Sequence, residues 1–262
     1  MKILVFLIIL LQTQIAFGQN ELCRTDILNS LEVGKINILN NLNNQDFSEI
    51  WMKTNDELIF GIIGKEHQRI LIKFLTVEKN INNPSEYFIS GKTNVKDNIC
   101  DFVGKITLQN IQEIISENYG VDDEYKNSKI KLQGLITAKY EFFENKKQKH
   151  SGYFSGTMQS LFYIDENDQI QYNDISIVSD GYFNNSFVGK WKMYNSDLEK
   201  ICNWGDYRVP NSNCDFDIGI GEFNVSEKYW KKGWLDIALK NKISNGAIVK
   251  KEPNKIQKKW WE

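Results

Sequence analysis

The chain has 262 residues, of which 41% are hydrophobic, 25% charged and 13% aromatic; this excludes global disorder and allows one large domain or two small ones. Thirty-two lysines and arginines against 34 aspartates and glutamates leave a net charge of -2, which excludes an overall basic field for holding nucleic acid. With only 3 prolines, collagen-like and Pro-rich architectures are excluded as well.

Residues 1–18 read as a secretory signal peptide: Lys2, an apolar run over residues 3–11, then small residues at Ala16 and Gly18. The run is far shorter than the roughly 20 residues that span a bilayer. Cleavage after Gly18 predicts a secreted or periplasmic protein beginning at Gln19. No later segment reaches transmembrane length, so no transmembrane segment is expected.

Residues 19–56 are polar and Asn-rich and read as a lead-in packed on the body, with Asp46 placed to cap a short helix over residues 47–53. From residue 57 the pattern changes to β-branched and aromatic runs separated by short turns. Leu58-Ile59-Phe60-Gly61-Ile62-Ile63 is one apolar run, and residues 64–67 a turn. Strands are predicted over residues 69–79, 87–96 and 99–108. Ile111, Ile114 and Ile115 have helical spacing, so a short helix is expected over residues 108–115. After an acidic loop, strands are expected over residues 129–143, 153–164, 170–178 and 187–194, with turns at 145–150, 165–168 and 180–185. Strands in hairpin order predict a mainly β protein, an antiparallel meander closed as a barrel or folded as a sandwich, over a single domain of residues 57–240. Short helical segments are expected near the two termini. Residues 201–224 read as loop, and residues 241–262 as a basic tail ending in Trp260-Trp261.

Cys23, Cys100, Cys202 and Cys214 are an even set in a chain predicted to be exported. Proximity across a turn-rich stretch predicts a Cys202–Cys214 disulfide, leaving Cys23–Cys100. His67 and His150 both fall in predicted turns, where solvation is expected. Gly189-Lys190-Trp191 is similar to the G-x-W of lipocalin-type barrels, where the tryptophan closes one end. In that family it lies on the first strand, whereas here it lies late in the chain, so Trp191 is expected in the core or at a barrel end.

No motif of a nucleophilic hydrolase, zinc protease, P-loop or dinucleotide-binding enzyme is present, and no catalytic residue is assigned. The stretch densest in functional residue types is 202–223. Trp204 and Tyr207 offer flat apolar faces, while Asp206, Arg208, Asp215, Asp217 and Glu222 offer directed hydrogen bonds, the combination that holds a glycan or small polar ligand. Asp215-x-Asp217-x-Gly219-x-x-Glu222 also resembles part of a calcium loop, equally readable as a half-buried strand. No metal or other cofactor is otherwise expected. The sequence thus predicts a secreted β-rich binding protein for a small polar ligand, a glycan or a protein. The alternatives are a glycan-directed hydrolase using these carboxylates and a structural or inhibitory protein that binds another protein.

Overall fold

A computed structural model describes residues 22–23, 31–116, 118–244 and 259–262. The predicted signal peptide and residues 245–258 of the predicted tail lie outside the described residues. The chain is mainly β, 45% strand and 12% helix, with one antiparallel sheet curled into a half-barrel.

The strands are β1 (Leu22–Cys23), β2 (Ile59–Ile63), β3 (Gln68–Arg69), β4 (Leu71–Lys79), β5 (Glu86–Val95), β6 (Asn98–Glu113), β7 (Leu132–Glu144), β8 (Gly152–Ile164), β9 (Ile170–Tyr172), β10 (Asn184–Met193), β11 (Glu199–Asp206) and β12 (Ser212–Asn213). Among the described residues one α-helix, α1 (Leu235–Ser244), lies near the C-terminus, preceded by a 3-10 helix over Glu227–Lys232. The main sheet runs β3-β2-β11-β10-β8-β7-β6-β5-β4, with β9 beside β8; β1 and β12 form a separate pair. Only Ile70 separates β3 from β4, and its N–H donates to the carbonyl of Gly61 in β2 at 3.0 Å. The two ends of the sheet path therefore meet in one chain segment.

Hairpin order sets the turns at two ends. The turns at 64–67, 96–97, 145–151 and 194–198 share one end. The connections at 80–85, 114–131, 165–169, 173–183 and 207–211 share the other. The inner face packs Tyr87, Phe102, Ile106, Tyr140, Phe142, Phe154, Met158, Phe187 and Trp204 into one core, into which Phe47, Ile50 and Trp51 of the lead-in insert. The lead-in forms a 3-10 turn over Ser48–Trp51, where Asp46 Oδ1 accepts the Ser48 N–H at 2.9 Å. It also runs beside β4, and Lys79 Nζ donates to the carbonyls of Asn43 and Gln45 at 2.6 and 2.5 Å.

A second cluster lies on the other face of β2. There Phe60 and Ile62 pack with Val209, Phe216, Phe223, Tyr229, Trp234 and Ile237. Burial of β2 on both faces is why its sequence is a continuous apolar run rather than an alternation.

Three elements differ from the sequence expectation. Residues 108–115 continue β6 through Glu113, because Ile111 is needed inside the sheet while Ile115 is exposed. The strand expected over 170–178 stops at Tyr172. Residues 199–206, expected to be largely loop, form β11, a central strand between β10 and β2.

The predicted disulfides are corrected. Cys100 and Cys202 are buried free thiols, so neither Cys202–Cys214 nor Cys23–Cys100 forms. Cys202 points into the main core from the middle of β11, while Cys214 lies beyond β12; nearness in sequence does not bring their side chains together. Cys214 is disulfide-bonded, to neither of these two.

Candidate functional site

Strand alternation divides the predicted 202–223 site. In β11 the inward positions are Cys202, Trp204 and Asp206, and the chain leaves the sheet at Tyr207. Trp204 is 3% exposed and stacks on Phe187, with centroids 4.6 Å apart and planes 11° apart. It is a core residue, not an exposed ligand platform.

Asp206 is buried at the end of the interior, where one oxygen, Oδ2, accepts three hydrogen bonds. The donors are Thr54 Oγ1 at 2.6 Å, Asn185 Nδ2 at 2.7 Å and the Tyr172 hydroxyl at 3.0 Å. Asn185 in turn accepts from Ser160, which accepts from the Trp51 indole N–H. Burial pushes the Asp206 carboxyl up to about 7, against the opposing pull of Thr54, Tyr172 and Asn185. The space beside it is about 20 Å³, that of roughly one water.

Arg208 turns the other way and is sealed. Its guanidinium pairs with Asp217 at 2.6 Å, with side-chain exposures of 2% and 3%. It also donates to the carbonyls of Gly219, Ile220 and Gly221. The remaining Asp217 oxygen accepts the N–H groups of Gly219 and Asn224. Asp215 lies apart on the surface, bound by Lys228 at 2.6 Å and by the Tyr229 hydroxyl at 2.8 Å. The Lys228 hydrogen bond is the main reason its carboxyl is held below the usual range. The carboxylate oxygens that would form the first half of a calcium loop are thus used by protein donors. Among the described residues no group of three His, Cys, Asp or Glu side chains is placed to hold a metal ion.

Three of the predicted residues line one open cleft: Tyr207 and Glu222, with the sealed Arg208 in its wall. The cleft, about 390 Å³, lies where the sheet, the 173–183 connection, the 207–223 loop and α1 meet. Leu58, Phe60, Ile177, Tyr182, Phe223 and Ile237 give it apolar walls, and Glu57 and Lys240 form an ion pair there at 2.8 Å. Tyr207 has φ 65, a left-handed conformation rare for an aromatic residue. Its N–H donates to Leu58 O at 2.7 Å, and its ring packs edge-on to Tyr182 with centroids 5.1 Å apart.

Sequence reasoning missed most of this lining. Tyr182 sits in a turn, and Leu58 and Phe60 looked like ordinary strand core. The one legible signal was a tyrosine within a predicted 180–185 turn.

The two histidines part company. His67 is 2% exposed, not solvated as expected. Its Nδ1–H donates to Lys65 O and its Nε2 accepts the Asn213 N–H, while Phe216 and Tyr229 pack on the ring. Burial pushes its pKa down. His150 is exposed.

Trp191 is buried at the opposite barrel end and donates from Nε1 to Glu144 Oε2 at 2.9 Å. A Cβ at Gly189 would come within 2.5 Å of the Tyr140 hydroxyl. The G-x-W spacing here therefore follows from close strand packing beside a buried carboxylate. Comparison of the chain with protein-family models, with curated proteins and with solved structures gives no match.

Proposed function

We propose that this is a binding protein, exported after cleavage at Gly18, that holds a small amphipathic ligand in the cleft beside Tyr207. The ligand class is a molecule with a flat apolar face and a hydrogen-bonding edge, which includes saccharide rings. The observation that carries this reading is an open, apolar-walled cleft of about 390 Å³ whose wall includes an aromatic side chain in a costly backbone conformation. Such strain persists only where the surroundings enforce it, and it concentrates at ligand sites. The charged groups Glu57, Lys240 and Glu222 supply directional contacts beside the apolar walls.

The hydrolase reading has less support. Of Asp206, Asp215, Asp217 and Glu222, only Glu222 lines the cleft.

The test uses N-phenyl-1-naphthylamine, a neutral apolar fluorophore, and the Tyr207→Asn variant. Asparagine tolerates positive φ, so the backbone is kept while the ring is removed. Saturable one-to-one binding that weakens by roughly thirtyfold, the equivalent of about 2 kcal/mol, with an unchanged melting midpoint is the expected result. Absence of saturable binding by the native chain, or equal binding by the variant, would reject the cleft as the site.

A further inference from the structure

At the barrel end opposite the cleft, the outer face of the sheet carries an apolar stripe. Val103 in β6, Phe143 in β7 and Tyr153 in β8 occupy directly paired register positions. Tyr194, just beyond β10, extends the row. Val103 is 64% exposed and Phe143 44% exposed. The rings form a ladder: Phe143 and Tyr153 are stacked with centroids 6.0 Å apart, and Tyr153 and Tyr194 are 6.1 Å apart at 34°.

The turn joining β7 to β8 borders this ladder and carries exposed Lys146, Lys147 and Lys149. Lys146 Nζ stands 5.2 Å from the Tyr194 ring centroid. The connections at the far end carry more acids than bases: Lys126, Lys129 and Lys131 pair with Asp123, Glu166 and Asp168, and Asp122, Glu124 and Asp165 stand in excess. The net charge of -2 thus conceals a polarity along the barrel axis, which would turn the lysine end toward a negative surface.

We propose that this end docks on the surface of an anionic phospholipid bilayer, with Phe143 and Val103 entering the headgroup boundary and the 146–149 lysines facing the lipid phosphates. The stripe lies on the convex outer side of a half-barrel, so it suits an extended partner rather than an enclosed small molecule. The Phe143 and Tyr153 faces are turned on each other, so ring edges point outward; a sugar polymer would need open faces to stack on. Aromatic side chains flanked by lysines match the layered chemistry of a bilayer interface.

The experiment is co-sedimentation of the full mature chain with vesicles of phosphatidylcholine containing about a quarter phosphatidylserine, compared with phosphatidylcholine alone. Binding should require phosphatidylserine and weaken as salt is raised. The triple variant Lys146→Gln, Lys147→Gln, Lys149→Gln changes only exposed turn positions and should lose about a hundredfold in partitioning. Phe143→Ser should weaken binding at low salt with its fluorophore binding at the Tyr207 cleft unchanged, which also separates this surface from the cleft reading. Three outcomes would overturn the proposal: no sedimentation with anionic vesicles, equal sedimentation with neutral ones, or concentration-dependent dimerisation without vesicles that Phe143→Ser abolishes.

Discussion

Arg208 and Asp217 meet at 2.6 Å with both side chains all but closed to solvent. The pair ties the 207–211 connection to the 217–221 loop and thereby fixes the wall of the cleft that Glu222 and Phe223 line. An arginine in a predicted ligand loop is here a brace beneath it. Removing one partner leaves the other charged, buried and uncompensated, so Arg208→Ala should cost about 3–5 kcal/mol of unfolding free energy. Urea denaturation checks this; a loss within about 0.5 kcal/mol, typical of a surface site, would contradict the burial.

Trp204→Ala should be similarly severe. The indole fills the centre of an aromatic stack with Phe187, Tyr140 and Phe154, and truncating a core aromatic of this size costs about 3–5 kcal/mol. Thermal melts of Trp204→Ala and Tyr207→Asn should therefore diverge sharply, although the two residues are three apart in sequence.

Asp206 makes stability depend on pH. Its folded pKa, about 7, lies above the ordinary carboxylate range. In the unfolded chain the group ionises near pH 4; its contribution is then fully present below that pH and is lost as pH rises through about 7. Asp206→Asn keeps an acceptor for Thr54, Tyr172 and Asn185 but cannot ionise. It should flatten the stability profile between pH 4 and 8, as followed by urea midpoints at successive pH values. Glu144, pushed up by burial as well, and the buried His67, pushed down, contribute to the residual slope with opposite signs. An unchanged profile in Asp206→Asn would show that this carboxylate is ionised in the fold.

The cysteines divide by reactivity. Burial raises both the Cys100 and Cys202 thiols, so they should resist alkylation in the native protein and react in denaturant. Four cysteines are present, and the backbone pairs Cys23 with Ser212, two residues from Cys214. Non-reduced peptide mapping should therefore join Cys23 to Cys214; a Cys202–Cys214 peptide would refute this.

Much of the fold was legible because turn chemistry is local. The turns at 64–67, 80–84, 145–150 and 165–168 separate strands as their Gly, Asn, Asp and Pro residues imply. β11 was hidden by Asn203, Gly205 and Asp206, polar or small residues that look like loop. In the fold Asn203 donates to Pro210 O and accepts the Gly189 N–H, and Gly205 lets the Arg208 backbone lie close. Those partners are set by the chain's return over β11, which local periodicity does not contain. The site suffered the same loss: Tyr207 and Glu222 were legible as polar or aromatic loop residues, but alternation within β11 sent Trp204 and Asp206 inward. Tyr182 showed only as a tyrosine in a predicted turn, and Ile237, brought in by a distant segment, left no signal beside them.

The lead-in beside β4 has a consequence for how the protein stays separate from its own copies. A strand with bare N–H and C=O groups along one side is a template for another chain. The segment around Asn43 and Gln45 occupies Lys79 and holds the Ser48–Trp51 turn against β4. Trimming the chain through residue 56 would remove both the cover and the Phe47 and Trp51 side chains from the core. The shortened protein should then assemble strand to strand into elongated oligomers, and light scattering of the trimmed form would reveal growth that the full chain does not show.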